Sequence, residues 1–132
     1  MKRFGLSAKE RIKGRKDFEK IFANGKTIFS SDKRIKATYL VNNNNFKPGI
    51  LISVAVHKKA GKAVWRNRIK RLIKEAYRLN KERLNEFLIR KNFLIMIVFS
   101  PNVLNEKKNK KICLHEIESD VKEILSKLKD KL

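Results

Sequence analysis

The spacing of apolar residues predicts how the first half of the chain folds. Apolar residues recur at helical spacing around Phe18, and Gly25 supplies a helix stop. Residues 34–42 alternate apolar and polar side chains, which predicts a strand, and residues 26–29 have the composition of a shorter one. Residues 50–56 are apolar on both faces, which is typical of a central strand that is covered on its two sides.

The second half of the chain predicts three helices and a further strand. A long amphipathic helix is expected over residues 63–80, a short one over 82–88 and a final one over 112–128, with a strand over 93–99. The order helix, three strands, helix, strand, helix predicts an α+β fold of two layers with one mixed sheet of about four strands. The 132 residues make a single domain, whose first eleven residues are basic and are expected to form a flexible arm.

The charge of the chain points to a polyanion as its partner. The sequence has 34 Lys and Arg against 13 Asp and Glu, a net charge of +21, with 42% hydrophobic residues. A folded domain with this excess repels itself unless a polyanion neutralises it, so nucleic acid is the first partner to consider. Residues 1–36 hold twelve cations and four acids, residues 58–78 hold nine and one, and residues 101–132 hold a mixed eight and six. Binding is therefore predicted for the first two segments.

Four cations on the predicted helix over 63–80 follow one another at i, i+4 and form one column: Arg66, Lys70, Lys74 and Arg78. Three like-charge pairs of this kind cost an isolated helix roughly 1 kcal/mol, and Arg71 with Glu75 is the one compensating pair expected. Lys62 lies near the first turn, where the helix dipole opposes it, and a phosphate bound to the N–H groups there would offset that cost. A merely solvated charged face is the alternative.

Several other side chains could bind RNA or could serve another role. Trp65 either stacks on a base or packs in the core. Phe18 and Phe22, at i, i+4, are core residues by default, but an aromatic cleft would bind single-stranded RNA of any sequence, because every base can stack. Asn67 offers an amide that can donate to and accept from a base edge or a ribose.

The sequence gives little support for chemistry by the protein itself. The two histidines, His57 and His115, lie far apart, and no acid–base pair or metal-ligand spacing stands out, so no catalytic or metal-binding residue is predicted. The start of the chain has no apolar signal region, and no stretch approaches the roughly 20 apolar residues of a membrane span. The lone Cys113 excludes an intramolecular disulfide framework. We expect a cytoplasmic protein without a membrane partner.

Residues 58–78, with the sequence KKAGKAVWRNRIKRLIKEAYR, resemble the signature of the bacterial ribonuclease P protein component. In that family two lysines close a strand, a glycine follows, and an Arg-Asn-Arg triplet opens a basic helix. The early helix with paired aromatics, within residues 11–22, and the following Gly25 agree as well. The order of elements matches along nearly the whole chain, and the similarity is weaker over residues 26–46 and after Pro101.

The resemblance implies a small protein that binds a large catalytic RNA, and the two together remove the 5′ leader of precursor tRNA by endonucleolytic hydrolysis. The RNA would carry the Mg²⁺ and perform the cleavage, so the protein alone would bind no cofactor. No protein partner is implied. The implied fold is an α/β sandwich with a left-handed β-α-β crossover, against the right-handed rule.

The resemblance also assigns residues to two binding surfaces. The RNA subunit and the nearby substrate would contact Lys58, Lys59, Lys62, Arg66, Asn67, Arg68, Lys70, Arg71, Lys74 and Arg78. A cleft between the first helix and the sheet would hold the single-stranded leader, with Arg11, Lys13, Phe18, Phe22 and Tyr39 as its residues. The chain departs from the family at Ser53, where glycine is frequent, and at His57, where serine is frequent.

Two other functions stay open on the sequence alone. A generic basic RNA-binding protein, such as a ribosomal protein, shares the charge but gives no reason for a basic helix and an aromatic cleft together. A protein-only nuclease would need carboxylates or histidines that converge on one site. Cleavage of precursor tRNA that requires both the chain and an RNA subunit distinguishes the leading interpretation from both.

Overall fold

The computed structural model describes Ile12, residues 15–42 and residues 48–132. Its elements are α1 (Arg15–Asn24), β1 (Lys26–Phe29), β2 (Ile35–Asn42), β3 (Gly49–Val54), α2 (Ala63–Asn80), α3 (Glu82–Lys91), β4 (Leu94–Pro101) and α4 (Leu114–Lys131). A turn of 3-10 helix, Lys58–Ala60, precedes α2. The predicted arm over residues 1–11 lies outside the described residues, as do Arg11 and Lys13 of the predicted cleft.

The four strands form one mixed sheet in the order β1-β2-β4-β3. β2 pairs with β1 and with β4 in antiparallel fashion, whereas β3 and β4 are parallel neighbours. Parallel neighbours need a crossover connection, which α2 and α3 provide. The predicted α+β class with one mixed four-stranded sheet is confirmed, and the left hand of the crossover stays a prediction.

The apolar strand β3 lies at the edge of the sheet, and the prediction of a central strand is wrong. The equally apolar β4, with residues 95–99 all buried, has a strand on each side. β3 is nevertheless covered on both faces, because Ile52 packs in the core of the later helices and Leu51 packs against the cluster beneath α1. The N–H of Ile12 donates to the Ile52 carbonyl at 3.0 Å. Apolar residues on both faces of a strand show that both faces are covered. They do not show how many strands lie beside it.

Helices lie on both faces of the sheet. α2, α3 and α4 share with one face the larger hydrophobic core, in which the rings of Tyr77 and Phe99 pack with centroids 6.2 Å apart. α1 covers part of the opposite face through Ile21, which joins a smaller cluster with Met96 and Val98. The sheet and the three later helices are the two predicted layers, and α1 adds a helix on the second face.

Helix α2 begins and ends where the sequence predicts. Its buried residues are Trp65, Ile69, Ile73, Ala76 and Tyr77. Only 4% of Trp65 is exposed, and its indole N–H donates to the Asn109 carbonyl at 3.1 Å. The structure therefore favours the packing interpretation of Trp65 over stacking on a base.

An ion-pair network ties the β1–β2 hairpin to α4. The guanidinium of Arg34 contacts Asp32 at 2.7 Å, Asp120 at 3.1 Å and Glu116 at 3.3 Å. Burial raises the pKa of Asp120 to about 6, and Asp32 adds to this shift while Arg34 opposes it. Burial would also raise the pKa of Asp32, but hydrogen bonds from the Arg34 backbone and the Ser30 hydroxyl prevail and lower it to about 2. The two carboxylates thus shift in opposite directions.

Asp120→Asn should flatten the pH dependence of stability between pH 7 and pH 5. With a pKa of about 6, Asp120 takes up a proton in the folded chain over this range, whereas the unfolded carboxyl does not, so stability rises as the pH falls, by about 1 kcal/mol. Towards pH 2 the trend reverses, because the folded chain then loses the stabilising charge of Asp32. Thermal unfolding followed by circular dichroism measures both limbs.

The control for this experiment is Asp130→Asn, an exposed position on the same helix, which should keep the native slope. An Asp120→Asn protein with the native slope between pH 7 and pH 5 would contradict the assignment.

Candidate nucleic-acid interface

The cations of α2 do not all point in one direction. Successive residues turn by about 100°, so Arg66, Lys70 and Lys74 follow one flank of the helix, while Arg68 stands about 200° from Arg66. The predicted column therefore exists, but the Arg-Asn-Arg triplet is divided between two flanks. Of the predicted set, the exposed residues are Lys58, Lys59, Lys62, Asn67 and Arg71, and the partly buried residues are Arg66, Arg68, Lys70, Lys74 and Arg78.

Arg68 is engaged with the protein itself. Its guanidinium donates to the carbonyl of Lys110 at 3.2 Å and to the carbonyl of Ile112. Both carbonyls belong to the segment between β4 and α4. The structure thus gives Arg68 a role within the protein that the sequence did not predict, namely holding this segment against α2.

The acid of α2 pairs with a different arginine from the predicted one. Glu75 accepts a hydrogen bond from Arg78 Nε at 3.1 Å and a second one from Nη2. These bonds lower the pKa of Glu75. The expected pair between Arg71 and Glu75 is therefore wrong, because Glu75 turns towards the residue three positions ahead. Arg71 stands exposed, whereas the charge of Arg78 is partly neutralised within the helix.

A carboxylate from the segment between β4 and α4 lies at the first turn of α2. Glu106 Oε1 accepts from the N–H of Lys62 at 2.8 Å, and the N–H of Glu106 donates to the Ala60 carbonyl at 2.7 Å. Negative charge at this end of a helix is favoured by the dipole. The N–H of Lys62 thus has a protein partner, and binding of phosphate to the N–H groups of the first turn stays a prediction.

Gly61 permits this contact because it has no side chain. A Cβ at this position would lie 2.8 Å from Glu106 Cβ and 2.8 Å from Trp65 Cε3. The backbone at Gly61 is extended, with φ of 171°, so any residue could adopt it. Space, rather than conformational freedom, therefore requires glycine at this position.

Three lysines outside the predicted set extend the cationic surface. A cleft of about 810 Å³ is lined by six lysines, here called the lysine cleft: Lys58, Lys59, Lys62, Lys107, Lys108 and Lys110. Sequence reasoning missed the last three because it counted charges over the whole of residues 101–132. Half of the lysines in that range fall within 107–111, so the count averaged a basic turn with a helix that carries most of the acids.

The two aromatic residues of α1 differ in exposure. Phe18 is partly buried and packs against the cluster of Ile21 and Val98, whereas 60% of Phe22 is exposed. Thr38 and Ser53 both pair with Val98 in the sheet, so they share the face that α1 partly covers. Phe18 is therefore in part a core residue, and Phe22 presents its ring to solvent on the same side of the sheet as these polar positions.

Tyr39 lies on the face of the sheet opposite to α1. It is 6% exposed within the core of the later helices, and this burial raises its pKa. Alternate residues of a strand point to opposite faces, so Leu40 packs in the cluster beneath α1 while Tyr39 points away from it. The predicted place of Tyr39 in a cleft between α1 and the sheet is therefore wrong.

Known proteins are similar to this chain in both sequence and architecture. A family model described as ribonuclease P matches residues 6–129. The chain belongs to the ribonuclease P protein family. A relative named ribonuclease P protein component, from Porphyromonas gingivalis, is 38% identical over 96 residues, which are 73% of this chain and 69% of the relative. Another of that name, from Desulfosudis oleivorans, is 31% identical over 128 residues, which are 96% and 92%.

Solved ribonuclease P proteins have the same fold. The protein from Thermotoga maritima superposes with a TM-score of 0.66 at 23% identity and covers 92% of this chain and 96% of that one. The protein from Staphylococcus aureus gives a TM-score of 0.66 at 23% identity, with 90% and 94% covered. Family membership gives this chain a role in ribonuclease P, the enzyme of tRNA 5′ processing.

His57 caps the 3-10 turn that precedes α2. Its Nδ1 atom accepts from the N–H of Lys59 at 3.1 Å. A serine, which the resemblance leads us to expect here, could also accept from that N–H, so the departure keeps a side-chain acceptor at this position.

Two other features are absent from the described residues, a metal-ion cluster and a membrane-spanning helix. Ile12, 15–42 and 48–132 contain no group of three or more His, Cys, Asp or Glu that could hold a metal ion. None of the helices described here is long and apolar enough to cross a membrane.

Gly61→Ala should destabilise this ribonuclease P protein by about 1 to 3 kcal/mol, because the new methyl group would overlap Glu106 Cβ and the Trp65 ring. Urea unfolding measures the free energy change. Lys62→Ala, at the next and exposed position, is the control and should stay within about 0.5 kcal/mol of the native protein. Equal stability of the two variants would mean that the segment around Glu106 yields without cost.

Proposed function

We propose that this chain is the RNA-binding protein subunit of ribonuclease P. It binds the catalytic RNA through the 3-10 turn and α2, and it binds the single-stranded 5′ leader of precursor tRNA beside α1. The observation that carries the proposal is the separation of two unlike surfaces. Lysines and arginines cluster on α2, on one face of the sheet, and an exposed phenylalanine stands on α1, on the other.

The cations of α2 support contact with an RNA backbone. Arg71 is exposed, and Lys70 and Lys74 lie along the neighbouring flank. The acid of the same helix, Glu75, already bonds to Arg78. Like charges at this spacing weaken the helix by themselves, and phosphates along the flank would convert that repulsion into attraction.

The face beside α1 supports contact with an unpaired leader. Phe22 is the most exposed aromatic residue among the described large hydrophobic side chains, and Thr38 and Ser53 add polar groups on the same face. Stacking on an aromatic ring tolerates any base, and this suits a leader whose sequence differs among substrates. The polar groups would contact the ribose and phosphate of the stacked nucleotides.

Hydrolysis in this proposal belongs to the RNA subunit and the Mg²⁺ that it carries. The protein binds no cofactor of its own; its contribution is to position the precursor and to neutralise phosphate repulsion between two large RNAs. We propose the cytoplasm as its location, with no membrane or protein partner.

Reconstitution tests the proposal directly. The purified chain, mixed with its RNA subunit and a precursor tRNA at low Mg²⁺, should give cleavage at the 5′ leader that neither component gives alone. Gel analysis of end-labelled precursor measures the product. Cleavage by the chain alone would support a protein-only nuclease, and binding of the RNA without any effect on cleavage would support a general RNA-binding protein; either result would overturn the proposal.

Phe22→Ala should reduce the preference for precursor over mature tRNA. Loss of one stacking ring costs roughly 1 to 3 kcal/mol, which is about a 5-fold to 150-fold loss of precursor affinity, while affinity for mature tRNA should change little. Equilibrium binding by the reconstituted holoenzyme measures both. Ile89→Ala, which removes an exposed apolar side chain from α3 (53% exposed), is the matched control. Undiminished discrimination in a folded Phe22→Ala protein would exclude Phe22 from the leader site.

A further inference from the structure

We propose that the turn over residues 105–112 is a second RNA-binding element. Its lysines help to form the lysine cleft, which binds the phosphate backbone of the RNA subunit. The inference rests on the proposed function and extends it to residues that neither the family signature nor the charge count assigned. Lys107, Lys108 and Lys110 are the new contact residues, and Trp65 and Arg68 are positioning residues that hold the turn.

The turn has a defined shape because two asparagines bond to its backbone. The N–H of Asn109 donates to the Asn105 carbonyl at 2.8 Å, and the N–H of Lys108 donates to Asn105 Oδ1 at 2.9 Å. Asn109 Oδ1 in turn accepts from the N–H of Asn105 at 3.3 Å. A turn that is ordered before binding loses less conformational entropy when RNA binds to its side chains.

Two side chains of α2 hydrogen-bond to the backbone of this turn. The indole N–H of Trp65 donates to the Asn109 carbonyl at 3.1 Å, and Arg68 donates to the carbonyls of Lys110 and Ile112. Three carbonyls of the turn, those of Asn109, Lys110 and Ile112, are therefore directed towards α2. The backbone from which the lysines extend is thus held at a fixed distance from the cationic helix.

Among the described residues, no acid forms an ion pair with the six lysines of the cleft. Its lining includes six lysines and one acid, Glu106, whose carboxylate accepts from the Lys62 N–H. All six lysine side chains are exposed. Six like charges along one cleft repel one another, and the polyanion that relieves this repulsion most effectively is a nucleic acid backbone.

The position of the cleft identifies the RNA subunit as the occupant. The cleft adjoins the N-terminal end of α2, so an RNA that lies along α2 reaches it without leaving the same side of the sheet. Phe22, proposed for the leader, belongs to α1 on the other face. The turn therefore continues the surface for the RNA subunit.

The test compares two variants that remove the same charge. In one, Lys107, Lys108 and Lys110 are all changed to Gln; in the other, Lys122, Lys129 and Lys131 of α4 are. Affinity for the RNA subunit is measured over a range of salt concentrations. The first variant should lower the slope of log affinity against log salt by about 2 to 3, with an affinity roughly tenfold lower, because each phosphate contact contributes about 0.7 to 0.9. The second should change the slope by less than about 0.5.

Each result decides the inference. Equal losses in both variants would mean that only net charge matters, and a native slope in the first variant would mean that the turn does not touch RNA; either overturns it. A loss for precursor tRNA alone, with the RNA subunit unaffected, overturns the assigned occupant. If the native chain fails to bind the RNA subunit, the proposed function is wrong together with this inference. If the native chain binds and the first variant keeps the native slope, only this inference is wrong, so the two failures are distinguishable.

A double-mutant cycle tests the positioning role of Arg68. Arg68→Gln should weaken RNA binding in the native background but should have little further effect once the three turn lysines are Gln, because its contribution acts through them. An equal loss in both backgrounds would mean that Arg68 itself contacts phosphate and does not act by holding the turn. Circular dichroism confirms that each variant is folded.

Discussion

The contact of Gly61 with Trp65 and Glu106 brings together the two segments that carry the lysines of the cleft. At this point the start of α2, the 3-10 turn and the segment between β4 and α4 come within van der Waals distance, which a side chain at residue 61 would prevent. The Glu106 carboxylate on the Lys62 N–H and the Trp65 indole on the Asn109 carbonyl then lock the three pieces together. Lysines that are about 45 residues apart in the chain therefore line one cleft.

Helix α2 performs several tasks because its 3.6-residue period distributes neighbouring positions around the axis. One stripe, which includes Ile69 and Ile73, packs on the sheet and α4. Arg66, Lys70 and Lys74 follow a second flank, and Arg68 on a third side holds the turn before α4. The two arginines of the triplet therefore make different contacts: Arg66 Nε donates to the Gly61 carbonyl at 3.1 Å, whereas Arg68 donates to the turn before α4. A motif written as a string of letters does not express that difference.

Much of the fold could be predicted from the sequence, because apolar periodicity records which faces are covered. The limits of α2 and the alternating face of β2 follow from it directly. The edge position of β3 could not be predicted, because covered faces do not reveal strand neighbours. Tyr39 was assigned to the wrong face because alternation shows that it shares a face with Ala37 but does not show which face of the sheet α1 covers. For the interface, the α2 column was visible in the sequence, whereas the lysine cleft depends on a contact between distant segments that only the folded chain makes.

The distribution of acids explains why so much positive charge stays exposed. Asp32, Glu116 and Asp120 surround Arg34, where they join the hairpin to α4, and Glu75 bonds to Arg78. Each of these carboxylates forms an ion pair within the protein, and two of them lie on α4, the helix that follows the turn over residues 105–112. Within the described residues, these acids form no ion pair with the lysines of the cleft or with Arg71, which leaves a local charge imbalance at those places. An RNA backbone, which carries a charge at every nucleotide, is a partner whose spacing and sign fit that imbalance, and its binding would oppose the self-repulsion of a chain with a net charge of +21.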